Sequence, residues 1–181
     1  ERGGGFRHCD ALYLPQSGLL RLQLHIDVRD AMGANVLNTV GEALTPLIER
    51  HSGGRVLMSI LTNDASQRLA RAEFRLPIDQ LRRRGVENRT LAERIELASR
   101  VAREDPQRAV THNKGIMNGV SGLALATGND TRGLEAAVHR YAAGSGEYRG
   151  LSQYWIEQDS LCGRICLPMP LGSLGGSVGF Q

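Results

Sequence analysis

The chain has 181 residues, 41% of them hydrophobic, with a formal net charge of +3 and a pI near 9.0. That supports one large domain, or one and a half small ones, around a real core. No apolar run approaches the roughly 20 residues that span a bilayer, and the basic residues lack the interleaved aromatics of a single-strand nucleic-acid binder, so a mildly basic surface suits an anionic small molecule better.

In chain order, Glu1-Arg2 followed by Gly3-Gly4-Gly5 reads as mid-loop and predicts a piece of a longer protein. Residues 8–14 and 19–28 read as strands joined by the turn Pro15-Gln16-Ser17-Gly18, with Leu20, Leu22, Leu24, Ile26 and Val28 alternating onto one face. A helix follows, with Asp30 as N-cap, Val36, Leu37, Val40, Leu44, Leu47 and Ile48 on its buried side, and Gly53-Gly54 as its end. Its start, with Ala31, Gly33 and Ala34, suits a phosphate or pyrophosphate, although a plain capped helix is the commoner outcome of such a start. Gly33 in a first turn costs stability, and close ligand approach is one reason for it.

Residues 55–61, RVLMSIL, read as a third strand and 70–76 as a fourth. Strand, strand, helix, strand is half of a split βαβ sandwich. From Pro77 the pattern is helical over 78–84 and again from Leu91 to Asp105-Pro106, with Arg82, Arg83 and Arg84 as a solvated helix end. Further on, Thr131 to Ala143 reads as helix, and Gly150 to Glu157 and Leu161 to Leu167 as strands. Gly172, Gly175, Gly176 and Gly179 open no visible helix and are a weak phosphate-loop signal.

Cys9, Cys162 and Cys166 are an odd count without framework spacing, and Cys162 and Cys166 have no His or Cys companion for zinc. Reduced thiols, no metal site and a cytoplasmic protein are therefore expected.

The stretch with most chemistry is Thr111 to Arg132, THNKGIMNGVSGLALATGNDTR. Of 22 Lys and Arg residues, Lys114 is the one lysine. Arginine is a permanently charged fork, whereas lysine is a compact charge whose pKa burial can move. Ile116, Val120, Leu123 and Ala124 mark a helix over Gly115 to Ala126, expected to be buried, with Gly115, Gly119 and Gly122 admitting a close neighbour and Lys114 on the first turn. Asp130, in the GND turn that ends the run, is the candidate carboxylate partner. A structural salt bridge and a catalytic pair fit that spacing equally.

Taken together, DVRDAMGANVLNTVGEA (27–43), ILTNDASQRLARA (60–72), THNKGIMNG (111–119) and ATGND (126–130), with LPMPLGSLGG (167–176) as weaker support, closely resemble 3-hydroxy-3-methylglutaryl-CoA reductase of the bacterial class II type, along nearly the whole chain. The resemblance implies an α+β chain: residues 1–63 as the C-terminal part of a small, ferredoxin-like NAD(P)-binding domain, and 64–181 as the middle of a large, mainly helical domain binding the CoA thioester. It implies NADH or NADPH contacts at Asp30, Ala31, Met32, Gly33, Ala34 and Asn35, catalytic roles for Lys114 and Asp130, and substrate contacts at Arg108, Asn118 and Asn63.

The implied chemistry is a two-step hydride reduction of the thioester to mevalonate and CoA, or the reverse, by a dimer-based homo-oligomer without nucleic-acid or membrane partners. The family's glutamate proton donor and flap histidine match no position here. His112 fits a structural hydrogen-bonding residue better than an acid. A non-catalytic remnant that binds nucleotide or a sister subunit is the alternative.

Overall fold

The computed structural model describes residues 3–144 and 146–173. The α+β chain divides into two compact units, Glu1–Thr62 with Leu171–Gln181, and Asn63–Pro170.

In the first unit, β1 (Gly5–Leu14) and β2 (Leu19–Asp27) form an antiparallel hairpin with a bulge between Phe6 and His8. Asp27 closes it: its carboxylate lies 2.6 Å from Arg7 and accepts the Arg29 N–H at 2.9 Å, and those bonds hold its pKa below the ordinary 3.8. Next comes α1 (Ala34–Ser52), which ends as expected on Gly53, left-handed at φ 68°.

The start of α1 differs from expectation. Its N-cap is Gly33 and not Asp30, at φ 101°, and no side chain caps it. A Cβ on Gly33 would stand 2.9 Å from both Val28 methyls, so backbone conformation and internal packing require this glycine.

The expected third strand is not one. Residues 55–61 are irregular and unladdered, and side chains of α1 take two of their backbone donors: Glu49 Oε1 accepts from Val56 N–H and Asn38 Oδ1 from Leu61 N–H. Between them Ser59 Oγ sits where a Cβ on Gly41 would be, 2.4 Å from it. Propensity favoured a strand, but no strand pairs with it among the described residues.

The second unit has a three-stranded antiparallel sheet in the order β3 (Leu69–Pro77), β5 (Ser160–Pro168), β4 (Ser152–Glu157). The strand near 70–76 therefore pairs with the tail hairpin rather than with the first sheet. Beyond a single 3₁₀ turn at Ile78–Gln80, the arginine triplet lies in a turn closed by an Arg83–Val86 bridge, not at a helix end.

Three helices follow: α2 (Asn88–Glu104), α3 (Pro106–Ala126) and α4 (Thr131–Ala142). Each start is capped by a carboxylate, from Glu87, Asp105 and Asp130 respectively. Small residues Ala92, Ser99, Ala102, Ala109, Ala124 and Ala137 let the helices approach, and Leu134, Val138, Leu161 and Leu167 fill the remaining core.

Candidate functional site

Helix α3 carries most of the expected site residues and begins earlier than the pattern of apolar residues suggests. Pro106 stands in its first turn, where a missing N–H costs nothing, and the Asp105 carboxylate accepts the Gln107 N–H at 2.9 Å. That Asp-Pro pair was the available signal. Lys114 consequently lies roughly two turns in, rather than on the first turn. The run Gly115–Ala126 is not buried throughout: Met117 and Ala124 face the core, while Lys114, Gly115, Asn118, Gly119 and Leu125 are exposed. Among the described residues, nothing outside the local helix approaches within 4 Å of where a Cβ would stand on Gly115, Gly119 or Gly122.

Lys114 and Asn118, four residues apart, share the exposed face of α3. No ion pair joins Lys114 to Asp130 among the described residues. Instead the Asp130 carboxylate caps α4, accepting the Gly133 N–H at 3.0 Å. Asn63 belongs to the same corner: a Cβ on Gly133 would lie 2.7 Å from Asp130 Oδ2 and 3.2 Å from Asn63 Oδ1. The structure thus groups Asn63 with Asp130, and Lys114 with Asn118.

Arg108 stands on another face of α3. Its Nη1 is buried and has no hydrogen-bond partner among the described residues, an arrangement that costs free energy until an anion or acceptor meets it. One turn on, His112 Nε2 lies 2.7 Å from the hydroxyl of buried Ser152. Burial first, and the nearby Arg108 charge second, push the His112 pKa below the ordinary 6.5, so it is a neutral structural imidazole.

Asn113 reads in sequence as an amide near the chemistry but is a tether. It is fully buried, donates to the Arg149 carbonyl and accepts the Leu151 N–H, both at 2.9 Å. It points α3's buried side at the 149–151 segment and so turns its neighbour Lys114 outward.

In the first unit, the expected cofactor segment 30–35 forms the loop before α1. Its N-terminal donors have no side-chain cap, and the first turn holds no acidic residue, which fits a phosphate-bearing ligand. Ser173 N–H donates to the Asp30 carbonyl at 2.8 Å, and a Cβ on Gly172 would meet Met32 N at 2.7 Å. Residues 171–173 therefore buttress this loop, a role their spacing did not reveal. Gly175, Gly176 and Gly179 lie outside the described residues.

A large open cleft of about 750 Å³ in the second unit holds none of the expected residues. Two of its arginines are engaged locally, Arg140 with Asp64 at 3.5 Å and Arg164 with Gln153 at 2.7 Å. No helix among the described residues is long and apolar enough to cross a membrane.

The family model described as Hydroxymethylglutaryl-coenzyme A reductase matches residues 1–181. The chain is 41% identical over 181 residues to a probable 3-hydroxy-3-methylglutaryl-coenzyme A reductase of Borreliella burgdorferi, covering 100% of this chain and 42% of the relative. To the 3-hydroxy-3-methylglutaryl-coenzyme A reductase of Archaeoglobus fulgidus it is 44% identical over 179 residues, 97% of this chain and 40% of the relative. Among solved structures it is similar to the class II enzyme of Streptococcus pneumoniae bound to NADPH in open conformations, with a TM-score of 0.88, 44% identity and coverage of 98% of this chain and 49% of that one. The chain thus spans less than half the length of these relatives.

Proposed function

Since the chain belongs to the hydroxymethylglutaryl-coenzyme A reductase family, we propose that it contributes substrate-binding and catalytic residues to the NAD(P)H-dependent reduction of 3-hydroxy-3-methylglutaryl-CoA to mevalonate and CoA, or to the reverse reaction. The observation that carries this reading is Arg108: a buried guanidinium nitrogen with no partner suits the free carboxylate of such a substrate, because arginine is the cation best matched to a carboxylate.

The remaining roles follow from chemistry. Each reduction builds charge on an oxygen, and Lys114, exposed and without an ion pair among the described residues, supplies a mobile ammonium to stabilise it. Asp130, held by its cap bond to Gly133, is the carboxylate that completes the catalytic pair. Asn118, on the face of Lys114, and Asn63, beside Asp130, offer amides to the substrate's oxygens.

Asp30, Ala31, Met32, Gly33, Ala34 and Asn35 would hold the dinucleotide, the uncapped start of α1 offering backbone N–H donors suited to a phosphate. When bound, the nicotinamide supplies the hydride. We assign residues 1–63 to the dinucleotide-binding part and 64–170 to the thioester-binding part of a dimer-based homo-oligomer, with residues 171–173 buttressing the dinucleotide loop. The free thiols of Cys9, Cys162 and Cys166 favour a reducing compartment, the cytoplasm.

The test is NAD(P)H absorbance with the complete protein and the CoA thioester. Substrate-dependent oxidation that is lost in Lys114→Ala supports the reading. Dinucleotide or thioester binding without oxidation would favour the non-catalytic alternative.

A further inference from the structure

The β1–β2 hairpin brings together three side chains that no part of the reduction uses. In its ladder His8 is the direct cross-strand partner of His25, and Asp10, two residues along β1, projects from the same face because side chains alternate along a strand. The two imidazoles stack with centroids 3.9 Å apart and planes within 13°. Their Nε2 atoms converge on one carboxylate oxygen: Asp10 Oδ2 is 2.9 Å from His25 Nε2 and 3.6 Å from His8 Nε2. One ligand atom from each of the three residues lies within 4.8 Å of the others.

We propose that His8, Asp10 and His25 form a binding site for a single divalent first-row transition ion, with zinc as the expected occupant. Two imidazoles and a carboxylate are a donor set for zinc, copper or nickel, whereas calcium and magnesium take oxygen ligands. Ligand atoms around a tetrahedral ion with bonds of about 2.0–2.1 Å stand about 3.3 Å apart, so the cluster, with its donors within 4.8 Å of one another, reaches that geometry by changes in donor spacing of about 1.5 Å or less, with water completing the shell.

The ladder supplies the preorganisation, since backbone pairing holds the histidines opposite each other before any ion arrives. His25 is the more buried of the two, with 19% of its side chain exposed against 51% for His8, so the site is anchored on one side and open to solvent on the other. Cys9 projects from the opposite face of β1 and pairs with Leu24, which keeps its thiol out of the shell. A bound ion would clip β1 to β2 across the hairpin, and an isolated two-stranded hairpin is only marginally stable.

The experiment titrates the full chain with Zn²⁺, and with Co²⁺ as a spectroscopic probe, by calorimetry and absorbance. The expected result is one ion per chain, a cobalt spectrum without thiolate charge transfer, and a zinc-dependent rise in Tm that EDTA reverses. His8→Gln, His25→Gln and Asp10→Asn should each weaken binding by about tenfold or more, and Cys9→Ser should leave it unchanged. Affinity retained in the His8→Gln/His25→Gln double variant, affinity lost in Cys9→Ser, or the absence of saturable binding would each overturn the proposal. Circular dichroism of each variant without metal confirms that the hairpin has folded.

Discussion

Asn113 and Leu151 meet as side chain and backbone: Asn113 Oδ1 accepts the Leu151 N–H at 2.9 Å, while the same amide's Nδ2 donates to the Arg149 carbonyl. Removing that amide leaves two backbone groups unpaired next to a fully buried position. Asn113→Ala should therefore lower stability by about 2–5 kcal/mol in urea denaturation. Asn113→Asp should also be destabilising, because a carboxylate cannot donate to the Arg149 carbonyl.

Lys114 presents the opposite case. It is exposed and makes no ion pair among the described residues, so Lys114→Ala and Lys114→Arg should change stability by no more than about 0.5 kcal/mol. Turnover of the complete protein should nevertheless collapse in both, since a guanidinium fork does not replace a point charge at a developing alkoxide. Near-normal turnover in the arginine variant would remove Lys114 from its oxyanion role.

Arg108→Met should separate stability from binding. The unpartnered guanidinium nitrogen is a burden in the free protein, so an apolar side chain of similar length should leave Tm unchanged or raise it. The KM for the thioester should rise about 10–150-fold, the worth of hydrogen bonds to a charged group. The dinucleotide KM should stay constant. Equal rises in both would point to a general structural defect.

Stability should fall with acid in two stages. The His112 pKa lies below the ordinary 6.5 in the folded chain, so the unfolded chain takes up that proton first. Stability is then complete above pH 6.5 and declines as pH falls below it. Asp27 and Glu87 are held below their ordinary 3.8 and 4.5, so their contributions persist through the first stage and disappear at lower pH. Denaturation midpoints measured from pH 8 to pH 3 should show both stages, and His112→Gln should abolish the first.

Gly33 should be intolerant for reasons within the chain. At φ 101° an L side chain costs about 1–2 kcal/mol, and the contact with Val28 adds about 1–3 kcal/mol of overpacking. Gly33→Ala should thus lose about 2–5 kcal/mol in a thermal or urea melt. Adding Val28→Ala should recover part of that loss, leaving the backbone share.

Much of this was legible from residue order. Turn chemistry located the β1–β2 hairpin, and the 3.6-residue period located α2 and α4, because local signals and packing agree there. Residues 55–61 misled, since β-branched and apolar residues favour extension without specifying what accepts the backbone donors, and here Asn38 and Glu49 do so. The family motifs named Lys114, Arg108 and Asp130, but spacing did not show that Asn113 is a tether. Its bonds join segments far apart in sequence. The His8, Asp10 and His25 cluster was invisible for a related reason: only the hairpin register decides which residues face each other.

The bond between Ser173 and the Asp30 carbonyl also orders events during synthesis. Its partners are 143 residues apart, and the whole of the second unit lies between them in the chain. At ribosomal rates of about 5–20 residues per second, the loop at Asp30 waits on the order of ten seconds after it is made before its buttress exists. Over that interval the uncapped start of α1 must persist without the contact from Gly172 to Met32, so a slow-folding second unit would prolong the exposure of the first. Pausing translation between Asn63 and Pro170 would delay the maturation of a loop that the ribosome finished long before.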